Sequence, residues 1–215
     1  MFRLVVFDLD GTLVDSRRDL AESANELLAE CGAASLPEGA VGRMVGSGAA
    51  ALVARACAAA ALTPPADALQ RFLAIYDRRL LQHTRPYPRV DEVLDTLSGR
   101  ARLALLTNKP LAATNAILAG LNLARHFADD AILGGDGPFP RKPDPAGLRH
   151  LLDRVGAAAS EAVLVGDSLI DWQTARSAST AIYLARYGFG CDDVPLGEFG
   201  PEDRIIDAPA DLLDL

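Results

Sequence analysis

Apolar and polar positions along the chain follow two patterns. Residues 3–9 form a nearly continuous run of Val, Leu and Phe that stops at Asp10-Gly11, which predicts a short buried strand ending in a turn. The spacing then becomes helical. Leu20, Ala24, Leu27, Leu28 and Cys31 share one face, with Ser16 suited to the start of that helix and Gly32 to its end. Helical character continues through 40–44, 49–62 and 66–81, broken by Gly46-Ser47-Gly48 and Pro64-Pro65 and by no alternating segment. From Pro86 the pattern alternates. Helices are predicted over 90–97, 111–121 (Pro110 in its first turn), 144–155 and 171–177. Strands are predicted over 101–106, 131–133, 162–165 and 180–184, with a weaker strand at 204–206 and a last helical turn.

Strands alternating with helices predict an α/β fold, a mostly parallel Rossmann-like sheet with helices on both faces. The helical block lies between the first strand and the rest. It therefore reads as an insert over 15–84 within a core made of 1–14 and 85–215.

Composition narrows the classes of function. The 215 residues are 50% apolar and 23% charged, with a mean hydropathy of +0.14, which describes a chain that folds around a core. Net charge is −8, so nucleic acid and anionic lipid are not expected partners. Asp8 interrupts the N-terminal apolar run, and no window approaches the ~18 apolar residues of a membrane span. Cys31, Cys57 and Cys191 are odd in number and form no CxxC pair, which predicts a reducing, cytoplasmic setting. Oligomeric state is left open.

Chemistry concentrates where the predicted strands end, the edge at which α/β sheets bind ligands. The first strand runs into Asp8-Leu9-Asp10, the next into Thr107-Asn108-Lys109, and a later one into Asp167-Ser168, with Asp171 one turn on; the glycine-rich loop (Gly134, Gly135, Gly137) leads to Lys142. No GxxxxGK[ST] or GxGxxG loop is present. Asp8 and Asp10 are two residues apart, so on an extended segment they point the same way. Two carboxylates ~4 Å apart repel by roughly 4 kcal/mol at an effective dielectric near 20. A cation relieves that, and all-oxygen ligands suit Mg²⁺. Taken singly, each acid also reads as a solvated loop residue or helix cap. Lys109 and Lys142 are the only lysines among 21 basic residues, a bias that suggests a role for a compact ammonium beside a phosphate or carboxylate.

FDLDGTLVDS (7–16), LLTN (105–108), RKPDP (141–145) and VGDSLID (165–171) resemble, in order and spacing, the four motifs of the haloacid dehalogenase superfamily. The resemblance covers essentially the whole chain, and the insert sits where that family carries a small helical cap. VGRMVGSGAAALVARA (41–56) and LGGDGPFPRKPDP (133–145) are most similar to phosphoglycolate phosphatases. Arg89 and Ser179 stand where the family often has glycine.

The resemblance implies a Mg²⁺-dependent phosphate monoester hydrolase that acts on phosphoglycolate or a similar small phosphorylated metabolite. Asp8 is then the nucleophile and forms an aspartyl phosphate, and Asp10 is the general acid and base. Thr107, Asn108 and Lys142 bind the phosphoryl oxygens. The ion is held by Asp8, the Asp10 carbonyl and Asp167, with Asp171 in support. Gly46, Ser47 and Gly48, opening a helix, and Arg17, Arg18 or Arg43 are the expected partners of a leaving-group carboxylate. The acid at position 10 argues against dehalogenation, since halide leaves unassisted. A sugar-phosphate mutase or pyrophosphatase on the same core, and a phosphoaspartate receiver, are the rival readings.

Overall fold

The computed structural model describes residues 2–215. Six strands form one parallel sheet in the order β5-β4-β1-β6-β7-β8. They are β1 (Leu4–Phe7), β4 (Arg102–Leu106), β5 (Ile132–Leu133), β6 (Ala162–Gly166), β7 (Ala181–Ala185) and β8 (Arg204–Ile206). β1 lies at the centre, with Phe7 opposite Leu105 on one side and Val165 on the other. A central strand of a covered parallel sheet is buried on both faces, which is why LVVF has no polar alternation.

Successive side chains of these strands feed two cores. Val5, Phe7, Leu105 and Val165 pack beneath α5 (Val90–Ser98) and α6 (Leu111–Gly120). Leu4, Val6, Leu106 and Leu164 face α7 (Ala146–Val155) and α8 (Leu169–Ala178). Each fully buried Leu, Val or Phe stabilises the fold by roughly 1.5–3 kcal/mol relative to exposure. The fold class matches the sequence expectation.

Four helices separate β1 from the rest of the sheet: α1 (Arg17–Glu30), α2 (Glu38–Gly42), α3 (Ala49–Ala59) and α4 (Ala68–Arg79). The chain enters this layer through β2 (Val14–Asp15) and leaves through β3 (Arg85–Pro86), and these two short strands pair antiparallel. The hydrophobic pattern gave no sign of that two-residue ribbon. Asp19, fully buried in the first turn of α1, ties the ribbon's approach in place. Its carboxylate accepts from the His83 and Thr84 amides at 3.0 and 2.7 Å and from Thr84 Oγ1 at 2.7 Å. Among the described residues, no helix is long and apolar enough to cross a membrane.

Candidate active site

Three carboxylates meet at the carboxyl ends of β1 and β6. Asp8 follows Phe7, Asp167 follows Gly166, and Asp171 lies in the first turn of α8; ligand oxygens from all three fall within 4.8 Å of one another. Room for them depends on missing side chains. A Cβ on Gly11 would stand 2.2 Å from Asp167 Oδ2, and one on Gly166 would stand 2.4 Å from Asp171 Cγ. Gly11 also has φ +85°, a conformation other residues rarely adopt.

Each acid is held by different donors. Asp167 Oδ2 accepts from the Phe189 and Gly190 amides at 2.9 and 3.1 Å. Asp171 Oδ2 accepts from Ser168 Oγ at 2.6 Å and Ser168 N at 3.1 Å, a reciprocal cap at the start of α8. Lys142 Nζ donates to Asp171 Oδ1 at 2.6 Å and lies 2.9 Å from Asp8 Oδ1, a charge contact with no aligned hydrogen bond. Burial pushes the Asp8 carboxyl up to about 6; the Lys142 charge opposes that rise, and Asp171 and Asp10 add to it. Burial, then Asp171 and Asp8, raise Asp167 well above the carboxylate range. Burial alone would lower the Lys142 ammonium, but Asp171 and Asp8 outweigh it and raise it. A dry, all-oxygen donor set with more negative than positive charge fits a hard divalent cation.

Asp10 lies apart from that cluster. Its carboxylate accepts from Lys109 Nζ at 2.9 and 3.0 Å and from Ser16 Oγ at 2.5 Å. Ser16 thus makes no side-chain cap on α1 as the sequence suggested; its hydroxyl is committed to Asp10. The Lys109 ammonium is buried over the Tyr76 ring, 4.6 Å from its centroid. Thr107 and Asn108 are buried at the end of β4, and Asn108 Nδ2 donates to Lys142 O at 2.8 Å and to Gly46 O at 2.9 Å. The second of these bonds joins the sheet edge to the helical layer. Lys109, singled out by the scarcity of lysine, stands beside a carboxylate as that bias suggests, whereas nothing in the sequence marked Ser16 as a partner of Asp10.

Asp8, Asp10, Thr107 and Asn108 form the floor of a cavity of about 370 Å³ whose walls include Gly46 and Gly48 from the helical layer. The other expected partners lie elsewhere. Arg17 is paired with Asp15 at 2.5 Å, Arg18 with Glu22 at 2.8 Å, and Arg43 is exposed on α2's last turn. Ser47 Oγ accepts from Arg55, which also donates to Met44 O, both at 2.9 Å. Arg55 thereby braces the glycine loop.

A family profile described as haloacid dehalogenase-like hydrolase matches residues 2–179. The chain belongs to that family. It is an enzyme of the family's phosphatase type, and the described cluster falls on the motifs that carried the resemblance. It is 44% identical over 203 residues to a phosphoglycolate phosphatase of Rhodospirillum rubrum, covering 90% of this chain and 83% of the relative. A plasmid-encoded phosphoglycolate phosphatase of Cupriavidus necator is 36% identical, covering 98% of this chain and 89% of the relative. Among solved structures, one described as a predicted phosphoglycolate phosphatase from Haemophilus somnus superimposes with a TM-score of 0.89 at 32% identity, covering 99% of this chain and 97% of that one.

Proposed function

We propose that the chain hydrolyses the phosphate monoester of a small metabolite, phosphoglycolate or a close analogue, through a phosphoryl group carried on Asp8. The observation that supports this reading most is the separation of two neighbouring acids into two environments. Asp8 faces Lys142 within a buried acid cluster, whereas Asp10 is held by Lys109 and Ser16 on the same cavity floor. Two carboxylates in unlike surroundings suit the division between nucleophile and proton carrier.

Asp8 attacks phosphorus as the bond to the leaving oxygen breaks, and Asp10 gives that oxygen its proton. Water then attacks the aspartyl phosphate, Asp10 takes the water's proton, and the carboxylate of Asp8 is released with inorganic phosphate. Lys142, the Thr107 hydroxyl and the Asn108 backbone amide meet the phosphoryl oxygens, where charge must be stabilised throughout, the Asn108 side-chain amide being committed to Gly46 O and Lys142 O. Mg²⁺, held by Asp8, the Asp10 carbonyl and Asp167 with Asp171 in support, would neutralise charge between the carboxylate and the phosphate. Residues 15–84 act as the cap over this edge of the sheet, and amides of the Gly46-Ser47-Gly48 loop, at the start of α3, are available to an anion on the leaving group. The names of the Rhodospirillum and Cupriavidus relatives support phosphoglycolate as that ester.

Steady-state kinetics with Mg²⁺ over phosphoglycolate, sugar phosphates, nucleotides and pyrophosphate test the assignment. Phosphoglycolate is expected to give the highest kcat/KM of that panel. Phosphate release from none of them, or undiminished release by Asp8→Asn, would refute it.

A further inference from the structure

The cavity above Asp8 is larger and less polar than a glycolate leaving group requires. Beyond the glycine loop its walls are Val45, Leu52, Phe72, Leu73, Tyr76 and Ala113. The charged side chains that line it are Asp8, Asp10, Asp77 and Lys109, three acids against one amine. That amine is already committed to Asp10 at 2.9 and 3.0 Å. Among the described residues that line the cavity no uncommitted cation therefore faces the distal part, and Asp77 repels an anion that reaches it. The glycine loop stays near the floor, since a Cβ on Gly48 would stand 3.3 Å from Asn108 O and from Nη1 of Arg141, whose guanidinium is held beside the loop by Gly135 O and does not line the chamber. The anion-compatible region and the apolar region are thus distinct.

From this geometry we infer a second class of substrate, resting on the phosphatase reading: monophosphate esters of uncharged, apolar alcohols of about ring size, whose carbon body fills the chamber between α3, α4 and α6. An ionised group would be desolvated there without a partner, whereas apolar surface gains from burial. About 370 Å³ lies within the range of small-ligand pockets and holds a six- or seven-carbon body above the phosphoryl group. Each methylene fully buried is worth roughly a three- to fourfold gain in binding.

The test compares ethyl phosphate with benzyl phosphate as substrates of the Mg²⁺-loaded enzyme, and ethylphosphonate with benzylphosphonate as non-hydrolysable ligands measured by calorimetry. The benzyl member is expected to lead by at least about tenfold in kcat/KM and in Kd. Two variants check the location. Leu73→Asp places a charge at the half-exposed rim, and Ala113→Phe fills the chamber from α6; each should reduce the benzyl-to-ethyl ratio severalfold. A ratio near one in both kcat/KM and Kd, or a ratio that neither variant changes, overturns the inference. If no ester is hydrolysed while benzylphosphonate still binds the more tightly, it is the phosphatase reading that has failed. Equal phosphonate affinities would instead count against the chamber itself.

Discussion

Asp8 is under two opposed demands, since it must be ionised to attack phosphorus and is buried where ionisation is costly. Its carboxyl is raised from 3.8 to about 6, so the folded protein holds that proton more tightly than the unfolded chain does. The resulting stabilisation is complete below pH 3.8 and is lost as pH rises through about 6, a difference of about 3 kcal/mol. Melting temperature measured in chelator is therefore expected to fall as pH rises from about 4.5 to 7. Asp8→Asn should lessen that slope, to which Asp167, also raised by burial, contributes in the same direction, and raise the melting temperature near pH 7, while turnover drops by at least about a thousandfold. An unchanged slope in scanning fluorimetry would remove Asp8 as its source. Lys109 makes a separate point about Asp10. With Met at position 109 the Asp10 carboxylate loses its amine partner but keeps Ser16. The expected result is a kcat lower by roughly 10–100-fold with KM nearly constant, because proton transfer at the leaving oxygen is affected more than binding. A rise in KM alone would make Lys109 a substrate ligand instead.

At the scale of elements, the sequence was most informative where one force dominates. The apolar runs that became β1, β4 and β6 are buried on both faces, and strong burial leaves a strong pattern. Elements held by a single polar contact were not legible. The start of α7 lies at Ala146 and not at 144, because Asp144 serves as a turn acceptor for the Ala146 amide at 2.8 Å. In the glycine-rich loop Gly135 is required by contact, since a Cβ there would lie 2.2 Å from Asn108 O. Arg89 and Ser179, which stand where the family often has glycine, both adopt left-handed backbone, with φ 66° and 60°. A Cβ in that region costs roughly 1–2 kcal/mol, part of which glycine returns as unfolded-chain entropy. Ser179→Gly at the end of α8 should therefore stabilise the protein by about 0.5–1 kcal/mol, or roughly 1–4 °C. Ser179→Ala should give no such gain. Equal melting temperatures for the two variants would show that the left-handed turn is not the strained feature.

At the scale of the whole molecule, the four site motifs lie far apart in sequence, and the parallel sheet brings them to one edge. Once strand ends were known, the acid cluster and Lys142 were legible, because ligand position follows from topology. That Arg17, Arg18 and Arg43 turn away from the cavity was not legible, because a nearby acid or solvent decides the direction of exposed Arg18 and Arg43, and half-buried Arg17 is drawn to Asp15 and the Phe189 ring. The same limit hid Asp19, which reads as an ordinary first-turn acid of α1 and is in fact fully buried. It joins the helical layer to the returning linker through His83 N, Thr84 N and Thr84 Oγ1, and so fixes the layer just before the chain re-enters the sheet domain at β3. Removing its carboxylate leaves buried donors without partners, at a cost of about 2–4 kcal/mol. In a chain of this size Asp19→Ala should thus lower the melting temperature by roughly 4–16 °C. Asn retains one acceptor oxygen and should lose less than half as much. Because the linker continues directly from α4, whose Phe72 and Tyr76 wall the cavity, the Ala variant should lose kcat/KM beyond its loss of stability and be cut faster by protease near residues 80–84. Urea denaturation, kinetics at a temperature where both proteins are folded, and a proteolysis time course read these effects separately. An Ala variant as stable and as protease-resistant as its parent would mean that the other ties, the β2–β3 ribbon and the Asn108–Gly46 bond among them, hold the helical layer without it.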